Sequence, residues 1–169
     1  PTISIGDATV VEMDTATVDA VFTVTLSHES NKTVTVDFGV QDGTATAADE
    51  DYGIISGGPL TFNPGERYKN IGVPVVGDTK VEPDETFFVN LSNATNATLA
   101  DNQGRGTIQN DDIEPPTISI SDATVVEMDT GTVDAVFTVT LSHESNKTIT
   151  VDFGQQDDTA TVADEDYRI

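Results

Sequence analysis

The sequence contains no cysteine. That excludes a disulfide frame, thiolate chemistry and a Cys-based zinc site. It has no tryptophan and only three tyrosines, so the aromatic platforms of a glycan cleft are scarce and a carboxylate-pair glycosidase fits poorly. Positive charge is scarce too: 7 Lys and Arg stand against 30 Asp and Glu, a net charge of −23. Such a chain repels phosphates, which argues against nucleic acid and anionic membrane surfaces and makes cations the natural counter-charge. No apolar run approaches the roughly 18 residues of a membrane span, so direct membrane insertion is not expected. No secretory leader pattern is visible, and the chain opens in strand-like sequence, which reads as a piece of something longer.

What the sequence does have is a long internal repeat. A shift of 115 residues lays PTISIGDATVVEMDTATVDAVFTVTLSHESNKTVTVDFG on PTISISDATVVEMDTGTVDAVFTVTLSHESNKTITVDFG. Residues 1–54 align with 116–169 without a gap. They differ at Gly6/Ser121, Ala16/Gly131, Val34/Ile149, Val40/Gln155, Gly43/Asp158, Ala47/Val162 and Gly53/Arg168. The period exceeds the roughly 20–50 residues of solenoid repeats and matches a whole domain. The expected organisation is a complete domain over 1–112, a short acidic, proline-stiffened linker at 113–116, and the first half of a second domain over 117–169. About three strands with one open apolar face are marginal alone, so domain-swapped self-association is an expected partner mode alongside neighbouring repeats of the same polypeptide.

Within one period the pattern is β throughout. Val18, Ala20, Phe22, Val24 and Leu26 alternate with polar residues, and so do Val34, Val36, Phe38 and Val40. Leu60 and Phe62, then Tyr68, Ile71, Val73 and Val75, then Phe87, Val89 and Leu91, and finally Thr107-Ile108-Gln109 follow. The step from Tyr68 to Ile71 breaks the alternation and predicts a bulge near Lys69-Asn70. Turns every 8–12 residues and β-branched alternation predict an all-β antiparallel sandwich. No window reads as an amphipathic helix.

The acids concentrate at strand ends. In a sandwich, alternate turns share a pole, so carboxylates distant in sequence converge and raise one another's pKa unless a cation lies between them. Ca²⁺, which takes 6–8 oxygen ligands, suits such a pole. The plain alternative is that acids fill turns in any chain this acidic. Asp49-Glu50-Asp51-Tyr52-Gly53 is not an EF-hand loop: Gly53 and Leu60 stand where ligands belong. Asp49, Glu50 and Asp51 read as a solvated turn, Tyr52 as a core or corner anchor, and Gly43 as a left-handed turn residue. His28, Glu29 and Ser30 are adjacent turn residues and cannot form an oriented triad, so no enzyme is expected.

The run VVEMD, then VDFGVQDGTATAADEDY, then LTFNPGERYKNIGVPVVGDTKVEPDETFFVNLSNA, then GTIQNDD resembles the Calx-beta domain family, over 1–112 and in truncated form over 116–169. The resemblance implies a seven-stranded immunoglobulin-like sandwich. The family occurs in sodium–calcium exchangers, in an integrin tail and in large surface and adhesion proteins. It also implies Ca²⁺ as cofactor at one pole, with ligands carried over to Glu12, Asp42, Asp78, Glu82, Glu85, Asp111 and Asp112. Two departures lower the charge there. Gly77-Asp78-Thr79 replaces three consecutive acids, and Asn110 opens the final Asn110-Asp111-Asp112 run. An affinity of about 10⁻⁴–10⁻³ M, as in extracellular modules, is expected. The functional expectation is a calcium-binding repeat of an extracellular or cell-surface protein, an adhesion or spacer module whose joint is stiffened by calcium. The alternative is a metal-independent repeat presenting a protein- or glycan-binding face.

Overall fold

The computed structural model describes residues 1–167. It divides into two compact units, Pro1–Glu114 and Pro115–Ile169. The first contains β1 (Thr2–Ile5), β2 (Ala8–Val11), β3 (Thr17–Leu26), β4 (Val34–Asp42), β5 (Pro59–Phe62), β6 (Tyr68–Val76), β7 (Glu85–Thr95), β8 (Thr98–Leu99) and β9 (Gln103–Gln109). They form two sheets, ordered β6-β3-β1-β8 and β2-β9-β7-β4-β5. Pairing is antiparallel except for β1 with β8 and β2 with β9, which are parallel. This is the expected immunoglobulin-like sandwich, and no helix occurs among the described residues. The sequence pattern counts seven strands where the structure has nine segments. The first strand breaks at Gly6-Asp7, its front half pairing with β3 and its back half crossing to β9, and β8 is a two-residue addition.

The alternation builds the core directly. Ala20, Phe22, Val24 and Leu26 of β3, Ile71, Val73 and Val75 of β6, and Phe87, Val89 and Leu91 of β7 all point inward and are buried. Phe22 and Phe87 meet across the two sheets edge to face, centroids 5.8 Å apart. Each such side chain, fully buried, contributes about 1.5–3 kcal/mol. The bulge expected at Lys69-Asn70 is absent: β3 and β6 pair without interruption from Thr17↔Val76 to Thr25↔Tyr68. Tyr68 broke the alternation because it lies on the outer face, exposed, with the Arg67 guanidinium 5.4 Å from its ring centroid. The register shift lies instead between Thr35 and Asp37, where β4 meets β7.

The second unit has two strands among its described residues, β10 (Ile118–Ile120) and β11 (Val139–Leu141). Their register, Ile118↔Leu141, copies Ile3↔Leu26 of the first unit. The expected third strand does not form, although residues 149–153 nearly repeat 34–38. Sequence propensity is therefore not the cause. In the first unit, β4 is held by β5 on one side and β7 on the other, and both come from the stretch after residue 54.

Candidate metal centre

Three inter-strand loops, the start of β7 and the segment after β9 deliver acids to one end of the first unit. Glu12 follows β2, and its N–H donates to the Gln109 carbonyl at 3.1 Å, which fixes it beside the end of β9. Glu12 is buried. Burial, then the negative charges of Asp78, Glu82, Asp112 and Asp111, push its carboxyl up to about 7. Glu85, half-buried at the start of β7, is likewise pushed up to about 7, by burial first, then by the charges of Asp51 and Glu82. In both cases burial raises the carboxyl first and neighbouring carboxylates raise it further.

The tightest grouping is Asp51, Glu82 and Glu85, whose carboxylate oxygens lie within 4.8 Å of one another. Two oxygens bound to one Ca²⁺ at about 2.4 Å are no more than about 4.8 Å apart, so the three fit a common ion. Of the seven sequence-assigned ligands, Glu12, Asp78, Glu82, Asp111 and Asp112 are electrostatically coupled, and Glu85 joins them through Glu82. Asp42 is placed differently. It accepts hydrogen bonds from the Tyr52 hydroxyl and from Ala47 N–H (3.2 Å), and these hold its carboxyl below the usual range. It is an exposed side chain that organises the 42–52 loop, and no acid is among the causes of its shift.

Asp51 is the residue that sequence reasoning assigned to a solvated turn. It is half-buried. Its Oδ2 accepts from Thr46 N–H at 2.7 Å, and its own N–H donates to the Thr46 carbonyl, so the loop presents it to Glu82 and Glu85. Its direction follows from the next residue, Tyr52, which is buried and stacks on Phe87 at 4.8 Å. An anchored tyrosine fixes its neighbour's direction.

Two glycines shape this pole by close approach. A Cβ on Gly77 would lie 1.8 Å from the Met13 carbonyl oxygen. An acid cannot occupy position 77 while the Glu12–Asp14 loop sits there, so the reduced charge is built into the backbone path. A Cβ on Gly43 would lie 2.3 Å from the Thr86 carbonyl oxygen. Gly43 is required by that contact rather than by the left-handed conformation expected from the sequence.

The pole also carries features that fit a cation. Asn110 donates through Nδ2 to the Asp112 carbonyl at 2.8 Å, while its buried Oδ1 receives no hydrogen bond from any described residue. A buried oxygen without a donor, amid carboxylates, has the electron density a hard cation takes. Lys80 supplies a local counter-charge: its ammonium pairs with Glu82 and lowers the electrostatic load on Glu85.

Fold and site together define an immunoglobulin-like β-sandwich domain with a carboxylate-lined pole. The chain belongs to the Calx-beta domain family, whose sequence model matches residues 2–112 and again 110–169. Over 61 residues it is 49% identical to sodium/calcium exchanger 1 of Mus musculus, a match covering 36% of this chain and 6% of the exchanger. The apo form of the Calx CBD1 domain shares the fold at a TM-score of 0.57 and 26% identity, over 66% of this chain and 100% of that one. The calcium binding domain CBD12 of CALX1.1 shares it at a TM-score of 0.60 and 22% identity, over 78% of this chain and 54% of that one. The chain thus spans a small part of the curated exchangers, all of the Calx CBD1 domain and about half of CBD12.

Proposed function

We propose that the first unit is a calcium-binding module. The observation that carries this reading is the Asp51, Glu82 and Glu85 triad, with its carboxylate oxygens mutually within 4.8 Å. The buried Glu12 and the donor-free Asn110 Oδ1 near Asp112 support it. Asp51, Glu82 and Glu85 hold the first ion; Glu12, Asp78, Asp111, Asp112 and Asn110 are the remaining oxygen donors of the pole. Calcium supplies the positive charge that lets Glu12 and Glu85 ionise, and it competes with the Lys80 ammonium for Glu82.

In this reading residues 1–112 are one complete domain, 113–116 are the joint, and 117–169 begin a second domain. Asp111 and Asp112 immediately precede the joint. A cation that immobilises them stiffens the start of the linker, which suits a spacer or adhesion repeat in a cell-surface or extracellular array. The role is binding and mechanical rather than catalytic.

Isothermal titration of the whole chain at pH 7 tests the proposal. Glu12 and Glu85, each near half-protonated when their carboxyls sit at about 7, release together about one proton on binding. That release appears as a dependence of the heat on buffer ionisation enthalpy. Asp51→Asn and Glu85→Gln each weaken binding. Absence of heat at millimolar calcium refutes the reading.

A further inference from the structure

Asp42 is an acid that the metal centre leaves over. The Tyr52 hydroxyl and the Ala47 N–H both donate to its Oδ1. Its Oδ2 receives no hydrogen bond from any described residue, and no Lys or Arg among them pairs with it. The two donors hold the carboxyl below its usual range, so it is ionised at neutral pH. The carboxylate is thus fixed through one oxygen and presents the other.

Asp42 forms part of the wall of an open cleft of about 260 Å³, together with Val40, Ala47, Tyr52, Ile54 and Ile55. The segment that closes the cleft is tied at both ends. Gly53 N–H donates to the Pro74 carbonyl of β6 at 2.7 Å. Gly57 lies against the Phe38 carbonyl of β4, so closely that a Cβ there would be 2.5 Å from its oxygen. Between these ties Ile54 is 86% exposed. Charge and apolar wall are set before anything binds, which lowers the ordering cost of binding. We propose that this cleft receives a lysine side chain of a partner polypeptide, with the ammonium on Asp42 Oδ2 and the alkyl stem along Val40, Ala47 and Ile55.

The chemistry of the cleft selects this occupant. An ionised carboxylate without a counter-charge calls for a cation. Ca²⁺ takes 6–8 oxygens, and among the described residues lining the cleft only Asp42 brings a carboxylate. A guanidinium fork binds both oxygens of a carboxylate, but both lone pairs of Oδ1 are already taken. An ammonium is a point charge and needs one oxygen. A quaternary ammonium would seek an aromatic face, and the Tyr52 ring is stacked on Phe87. Lysine also buries its stem on apolar surface while its head stays wet. The volume lies below the roughly 300–1,000 Å³ of drug-sized ligands and suits one side chain. Ile54 at the rim offers an apolar contact to the chain that carries the lysine, which favours a polypeptide over a free amine.

The test titrates the whole chain, labelled with ¹⁵N and in chelator so that the pole holds no calcium, with the peptide acetyl-Leu-Lys-Leu-amide. The expected result is saturable shifts of the amides of Asp42, Ala47, Gly53, Ile54 and Ile55, with a Kd of about 1 mM or below. The same peptide with norleucine or arginine in place of lysine binds several-fold more weakly. Asp42→Asn keeps an oxygen for Tyr52 and Ala47 but turns the free oxygen into an amide donor. It weakens the lysine peptide several-fold and leaves calcium affinity unchanged. The proposal is overturned if the shifts do not saturate by about 10 mM peptide. It is overturned if Asp42→Asn binds the peptide as the native chain does, since the net charge of −23 then attracts it without a site. A loss of calcium affinity in Asp42→Asn assigns Asp42 to the pole and overturns it too. Pentylammonium that binds as tightly as the peptide makes a free amine the occupant, with the same consequence.

Discussion

Replacing Glu12 by Gln separates the cost of the acidic pole from its use. The ordinary carboxyl value for Glu12 is 4.5, and burial with four acidic neighbours raises it to about 7 in the folded state. A group whose folded value is raised holds its proton more tightly when folded. Stability is therefore greatest below about pH 4.5, falls as pH rises through the interval from 4.5 to 7, and is flat above it. At pH 8 the full shift of about 2.5 pH units corresponds to roughly 3 kcal/mol of destabilisation, an upper limit because the solvent near the pole screens part of it. Glutamine keeps the shape and removes the charge. In chelator at pH 8, Glu12→Gln is expected to raise stability by up to about 3 kcal/mol, or about 13 °C in Tm for a unit of this length. At pH 4 the gain nearly vanishes. In saturating calcium the sign reverses, because the substitution removes a ligand. Thermal melts followed by circular dichroism in the four conditions read this directly. A Glu12→Gln variant that is less stable than the native chain in chelator at pH 8 would falsify the electrostatic account of the pole.

Other outcomes follow from single contacts. Phe22→Ala removes a ring buried between the sheets and costs about 3–5 kcal/mol, whereas Phe137→Ala, the same change one period later at an exposed ring, leaves the first unit's melting unchanged. Tyr52→Phe keeps the stack on Phe87 but loses the hydroxyl donated to Asp42. It costs about 1 kcal/mol in chemical denaturation, and the Asp42 carboxyl resonance titrates at higher pH. Lys80→Ala removes the resident counter-charge from Glu82, and calorimetry should find calcium bound a few-fold more tightly; weaker binding would assign Lys80 a role in holding the loop.

The sandwich was legible because its strands follow a period of two with few exceptions, from Val18 through Leu26 and from Phe87 through Leu91. Where the pattern misled, a side chain had left the core for a local reason, as Tyr68 did to meet Arg67. The broken first strand was illegible because Ala8–Val11 is placed by parallel pairing to β9, nearly a hundred residues away. At the pole, strand-end acids predicted that carboxylates distant in sequence meet, as Glu12 does with Asp78, Glu82, Asp111 and Asp112. They could not show that Asp42 turns back to its own loop while Asp51 turns inward. That choice is made by Tyr52, whose burial against Phe87 is a tertiary fact. The second unit carries the clearest lesson: a sequence almost identical to β4 forms no strand where β5 and β7 have no counterpart. Strand propensity alone does not hold a strand.

The central claim is that the carboxylate pole holds calcium. Melting the whole chain in chelator and in about 10 mM calcium tests it most directly. With a Kd near 10⁻⁴ M that concentration is one hundred times Kd, and the first unit gains about 2.7 kcal/mol, or about 11 °C in Tm. The gain should be lost when Asp51→Asn and Glu85→Gln are combined. An unchanged melting temperature in calcium, or a gain that survives both substitutions, contradicts the account.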